Sequence, residues 1–197
     1  MYNHKIKAIM KKVTLLITLL LMVAVSSFAD KKVYVVSGNP GVLKQANKTC
    51  IAEFDYSKTL IEGQEVMAYL QKRGQDNVKT WPDDNKRTEG EFNIKYNKEN
   101  DKGTKMLSAG TSTADYKILF HISELDLGNT AVSVVLGGGG CTVSGMIEII
   151  DMQSNTTVCK IAVDHLKGTS QYSEVKRRIA TYTRLANRLS DLIEEGN

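Results

Sequence analysis

The sequence predicts an α/β (α+β) sandwich. It is a single domain over residues 30–197 with a mixed β-sheet, and its C-terminal β-hairpin is followed by a closing amphipathic helix. Three observations predict this class. Residues 114–128, "ADYKILFHISELDLG", alternate Ile118, Phe120 and Ile122 with Leu119, His121 and Ser123, which is the two-residue period of a strand. Two further β-rich runs, 140–151 and 156–166, are separated only by "MQSN" and read as a hairpin. Residues 173–195 place Val175, Ile179, Tyr182, Ala186, Leu189 and Ile193 three and four apart, as one face of a helix requires.

The N-terminus predicts export. Lys5, Lys7, Lys11 and Lys12 precede an uncharged apolar run from Val13 to Val25, and Ser27 and Ala29 supply the small residues of a cleavage site before Asp30. A bilayer span needs about 20 apolar residues, so this run is too short to be an anchor, and no other stretch is longer. No cysteine follows it to carry a lipid. The expected location is therefore periplasmic or secreted, with residues 1–29 removed. Cleavage also removes the basic excess. The chain has 26 basic and 22 acidic residues, and the four lysines of the leader account for the whole difference. A neutral domain has no bulk electrostatic footprint for nucleic acid.

Along the remaining chain, "KKVYVVSG" (31–38) predicts a strand closed by the turn Gly38–Gly41. In residues 48–57, Cys50, Ala52, Phe54 and Tyr56 share one face and Glu53 and Asp55 the other, which predicts a half-buried strand. Residues 62–74 switch to helical spacing through Val66, Tyr69 and Leu70. The polar stretch that follows reads as a turn, because Trp81-Pro82 interrupts a helix. Residues 91–107 then give a sparse helical stripe of Phe92, Tyr96 and Met106 or Leu107. In the hairpin, Val143, Ile147 and Ile149 face one way, as do Cys159, Ile161 and Val163. Ser173 is placed to cap the last helix, with Glu174 in its first turn.

The last part of the chain carries a resemblance. "YKILFHISELDLG", a glycine cluster, "EIIDMQSNTTVCKIAV" with Asp151 at the turn, and the closing helix resemble the exported bacterial envelope domains related to the curli-secretion channel subunit and to the outer-membrane activators of penicillin-binding proteins. The resemblance implies an α/β sandwich used as a periplasmic docking module, with no catalytic residues to carry over. Ala29-Asp30 stands where the lipoprotein members have an acylated cysteine.

Candidate chemistry is sparse. The glycines in "AVSVVLGGGGCTVSG" (131–145) are followed by a strand and by no Lys-Ser or Lys-Thr, so they do not form a phosphate loop. They are expected to serve backbone geometry first. Val134, Val135, Leu136, Gly137, Gly138, Gly139 and Gly140, with the edge of the 141–166 hairpin, form the candidate docking surface. The alternative is a small-ligand-binding or weakly catalytic pocket of His121, Glu124 and Asp126. No nucleophile motif or HExxH accompanies these residues, so a non-enzymatic role is expected. Asp83, Asp84 and Asn85 lack calcium-loop spacing, and the cysteines match no zinc pattern; neither metal nor cofactor is expected.

Lys176, Arg177, Arg178, Arg184 and Arg188 read as a solvated basic face of the last helix, and secondarily as a contact for acidic polymer. Tyr34, Trp81 and Tyr96 are candidates for a sugar-stacking platform. Cys50 and Cys159 are expected as buried thiols, or as a disulfide if their strands are neighbours, and Cys141 is the cysteine most able to reach outward. The expected partner is an envelope protein or cell-wall component, with homo-oligomerisation a further option.

Overall fold

A computed structural model of the chain describes residues 32–108, 110, 111, 113–128 and 139–196. Those from Val33 onward belong to one compact unit. In chain order the elements are β1 (Val33–Gly38), a 3-10 helix (Pro40–Lys44), β2 (Thr49–Asp55), β3 (Leu60–Ile61), β4 (Gln64–Glu65), α1 (Val66–Arg73) and α2 (Gln75–Glu99). Next come β5 (Lys105–Met106), β6 (Tyr116–Asp126), β7 (Thr142–Asp151), β8 (Thr156–Lys167) and α3 (Glu174–Glu195). The strands form one mixed sheet in the order β1-β8-β7-β6-β2-β5, with β3 beside the far end of β6. The α+β class is as the sequence predicts, and the hairpin followed by a closing helix is present.

The register explains the alternation. Phe54, Phe120, Ile147 and Ile161 lie in one row across four strands, and Ala52, Ile118, Ile149 and Cys159 in the next. Most of these are buried under α2 and α3. The opposite rows carry Asp55, His121, Met146 and Ala162, then Glu53, Leu119, Glu148 and Lys160. They are joined by ion pairs, Lys117–Glu53 at 3.2 Å and Lys160–Glu148 at 2.7 Å. The sandwich therefore has two layers, with one sheet face apolar and one polar. An aromatic cluster fixes the layers together: Phe92 of α2 meets Phe54 and Phe120 edge-on, at 5.5 and 4.9 Å between centroids.

Asp151 terminates β7 by accepting hydrogen bonds from Gln153 N, Ser154 N and Ser154 Oγ. Its role is to close the turn of the hairpin. β6 pairs with β7 along the hairpin, and β1 pairs with β8 over residues 159–163.

Two helical expectations change. Residues 75–99 form one helix that runs through Pro82. Proline removes one backbone donor, but Pro82 is exposed. Its neighbour Trp81 is buried under the Arg178 guanidinium, 4.2 Å from the ring centroid. Tertiary packing of this helix on α3 outweighs the local break. The helix stops at Glu99, and Met106 belongs to β5. The C-terminal part of the 91–107 stripe is thus an edge strand, bonded through Leu107 N to Cys50 O at 2.8 Å.

Candidate functional site

The residues that flank the glycine-rich segment are held by α3. Ser173 Oγ accepts from Lys176 N and starts the helix as the sequence predicts. Arg177, only 2% exposed, then points into the protein. Its Nε donates to Leu127 O at 2.8 Å, Nη2 to Gly128 O at 3.1 Å and Nη1 to Gln171 O at 3.2 Å. One turn on, Thr181 Oγ1 donates to Cys141 O at 2.8 Å, and Gly168 N donates to the same carbonyl at 2.9 Å. Arg184 Nη1 donates to Lys167 O. The described residues on either side of 129–138 are therefore fixed to one helix and to the end of the sheet.

Glycine is required where these ends meet. Gly128 has φ +68°, and a Cβ there would lie 2.8 Å from Gly139 O. A Cβ on Gly140 would fall 2.2 Å from Gly168 O. At Gly140 the glycine serves close backbone approach. Of the candidate docking residues, Gly139 and Gly140 sit on this base, while Val134, Val135, Leu136, Gly137 and Gly138 lie outside the described residues.

The alternative trio is not brought together. His121 stands half-exposed on the polar sheet face, with Nδ1 3.3 Å from Asp55 Oδ2. Bonds from Ser57 hold the Asp55 carboxylate below its usual range, and His121 adds to the effect. Glu124 lies instead 4.0 Å from His165 Nε2, and Asp126 accepts from Gly128 N in a turn. Ser144 is near His165, but its Oγ accepts from the His165 backbone N–H; its partner is therefore not an imidazole nitrogen positioned as a base. Among the described residues no cluster of His, Cys, Asp or Glu is arranged to hold a metal, and no described helix is long and apolar enough to cross a membrane.

The basic face of α3 is corrected for two of its members. Arg177 and Arg178 are buried, and the half-buried Val175 and Ile179 do not form the inner face of the first turns. That end of the helix packs on backbone carbonyls and on an indole, which an arginine satisfies better than an aliphatic side chain. Arg178 Nη2 donates to Asn85 Oδ1. Nearby, Tyr56 and Tyr182 share a hydrogen bond at 3.0 Å. The sugar-platform candidates do not share a surface, since Trp81 and Tyr96 are in the core and Tyr34 is exposed.

The cysteines are free and buried. β2 and β8 are separated by two strands, which puts Cys50 and Cys159 roughly 14 Å apart at strand spacing and excludes a bond between them. Cys141 does not reach outward; it is fully enclosed. Burial raises the thiols of Cys50 and Cys141 to about 12 and that of Cys159 to about 11. A raised pKa removes thiolate, leaving roughly one molecule in ten thousand ionised at pH 8 for a value near 12. The expected result is no reaction of the native protein with a chromogenic disulfide reagent at pH 8, and three thiols after unfolding in urea. Rapid labelling of the native state would contradict this burial.

No family model matches the chain, and no curated protein matches it. Among the solved structures similar to it are two of one dodecamer. One is the PelC dodecamer from Paraburkholderia phytofirmans, at 12% identity and a TM-score of 0.43, over 80% of this chain and 96% of that one. The other is a single-substitution variant of the same dodecamer, at 14% identity and a TM-score of 0.42, over 80% and 95%.

Proposed function

We propose that this chain is an exported, non-enzymatic docking domain of the bacterial envelope, and that the segment Ala131–Gly140 is its contact surface for an envelope protein or cell-wall component. The observation that carries the reading is the clamp on the residues that flank that segment in the chain. A buried arginine and a buried threonine of α3 fix Leu127, Gly128 and Cys141. An apolar sequence, "AVSVVL", lies between them. Recognition segments commonly stand on rigid supports of this kind. The signal-like N-terminus and the resemblance to exported envelope domains support the location.

A photo-crosslinking residue at position 135 tests the reading in intact cells, with one at exposed Asp83 as control. The expected outcome is one envelope component captured from position 135 alone. Replacing Val134, Val135 and Leu136 together with serine is expected to abolish capture by a crosslinker at position 133, with the thermal unfolding midpoint unchanged. Equal capture from positions 135 and 83, or capture that survives the triple replacement, would remove this surface from consideration.

A further inference from the structure

We propose that the groove between α2 and the edge of β2 beyond its β5 pairing is a second binding site, for an extended peptide segment that joins the sheet as a strand and brings one cationic side chain to Glu89. This site shares no lining residue with the 129–138 segment and does not rest on the docking reading.

The backbone comes first. β5 pairs with β2 only at Thr49 and Cys50, and its chain leaves after Leu107 N has bonded Cys50 O. Backbone N–H and C=O groups alternate sides along a strand, so those of Ala52 and Phe54 point the same way as Cys50 O. Met106, Leu107 and Ser108 line the same space, but among the described residues no β5 residue pairs with Ala52 or Phe54. A free strand edge of this kind is a template for a further strand.

The space beside that edge is a groove of about 460 Å³. Ala52 and Phe54 line one wall, and Glu89, Gly90, Asn93 and Ile94 of α2 line the other. A Cβ on Gly90 would meet nothing within 4 Å.

Charge specifies the occupant. Lys86 lines the groove but is exposed, where water screens its charge. Glu89 is half-buried, and among the described residues it makes no ion pair within 4 Å. Burial raises its carboxyl, against a bond from Tyr56 and the more distant Arg178. Asn93 Oδ1 is buried with no hydrogen-bond partner among the described residues. The inner wall thus presents a half-buried carboxylate with no cation paired to it and one unpartnered amide oxygen. An extended chain answers the β2 edge with its own amides and carbonyls, and a lysine or arginine side chain answers Glu89.

The probe is a synthetic nonapeptide of alternating threonine and valine with one central lysine, titrated into the 15N-labelled protein. Amide shifts are expected at Ala52, Phe54, Glu89, Gly90 and Leu107. A glutamate in place of the central lysine is expected to weaken binding at least tenfold, roughly the scale of a partly buried charge contact. N-methylation of alternate amides on the ladder edge is expected to abolish it. Gly90→Trp fills the groove while improving helix propensity, so it is expected to lose the probe without lowering the unfolding midpoint. Glu89→Gln is expected to erase the preference for lysine over glutamate, and it keeps the test decisive if the tryptophan variant does not fold. Absence of shifts, equal binding of the N-methylated probe, or binding that survives Gly90→Trp would overturn the proposal. Dimerisation that shifts the same amides without probe would assign the edge to a second copy and would also overturn it.

Discussion

Arg177→Met is expected to lower the free energy of unfolding by about 3 kcal/mol, because it leaves one buried and two half-buried carbonyls without this donor. Methionine retains most of the apolar stem, so the loss isolates the guanidinium. Three carbonyls depend on it, those of Leu127, Gly128 and Gln171. Arg177 and Leu127 are both buried, so water does not replace the bond to the Leu127 carbonyl in the native protein. Lysine has one ammonium in place of a fork, and Arg177→Lys is expected to recover less than half of the loss. Urea unfolding of the two variants beside the parent measures both numbers. A Met variant within about 0.5 kcal/mol of the parent, the range of ordinary surface changes, would mean that the clamp contributes nothing to the fold.

The second large effect is expected at the aromatic centre. Phe92→Ala should cost about 3–5 kcal/mol, as full truncation of a buried aromatic does. Phe92 is fully buried and lies edge-on to both Phe54 and Phe120. It is the contact by which α2 sits on the two central strands. Two residues on, Ile94 is 65% exposed on the same helix, and Ile94→Ala is expected to stay within about 0.5 kcal/mol. Thermal unfolding followed by near-ultraviolet circular dichroism distinguishes the two, since only the first should loosen the aromatic cluster.

These two sites differ in how legible they were. Phe92 stood in a recognisable helical stripe, and its burial follows from periodicity. Arg177 did not. An arginine next to another arginine on an amphipathic helix reads as a solvated face, and Val175 and Ile179 occupy the positions an inner face would use. The carbonyls of Leu127 and Gly128 lie far away in sequence, so nothing local announces that they need a donor. Pro82 is the same case in reverse: a local rule predicts a break, and the packing of Trp81 against Arg178 overrides it. The groove beside β2 was not legible at all, because it exists only where β5 stops short of Ala52 and Phe54.

The sequence by itself determined the class of the fold, the strands at 116–126, 142–151 and 156–167 and the long closing helix. Each of these is encoded by a local period, with apolar side chains every second residue or every third and fourth. Only the tertiary structure decided which edges are free, which charges are buried and which polar groups lack partners. Those properties depend on residues distant in the chain that meet across the sheet, and the free energy of a buried charge or an unpaired amide is set by that meeting, not by its sequence neighbours.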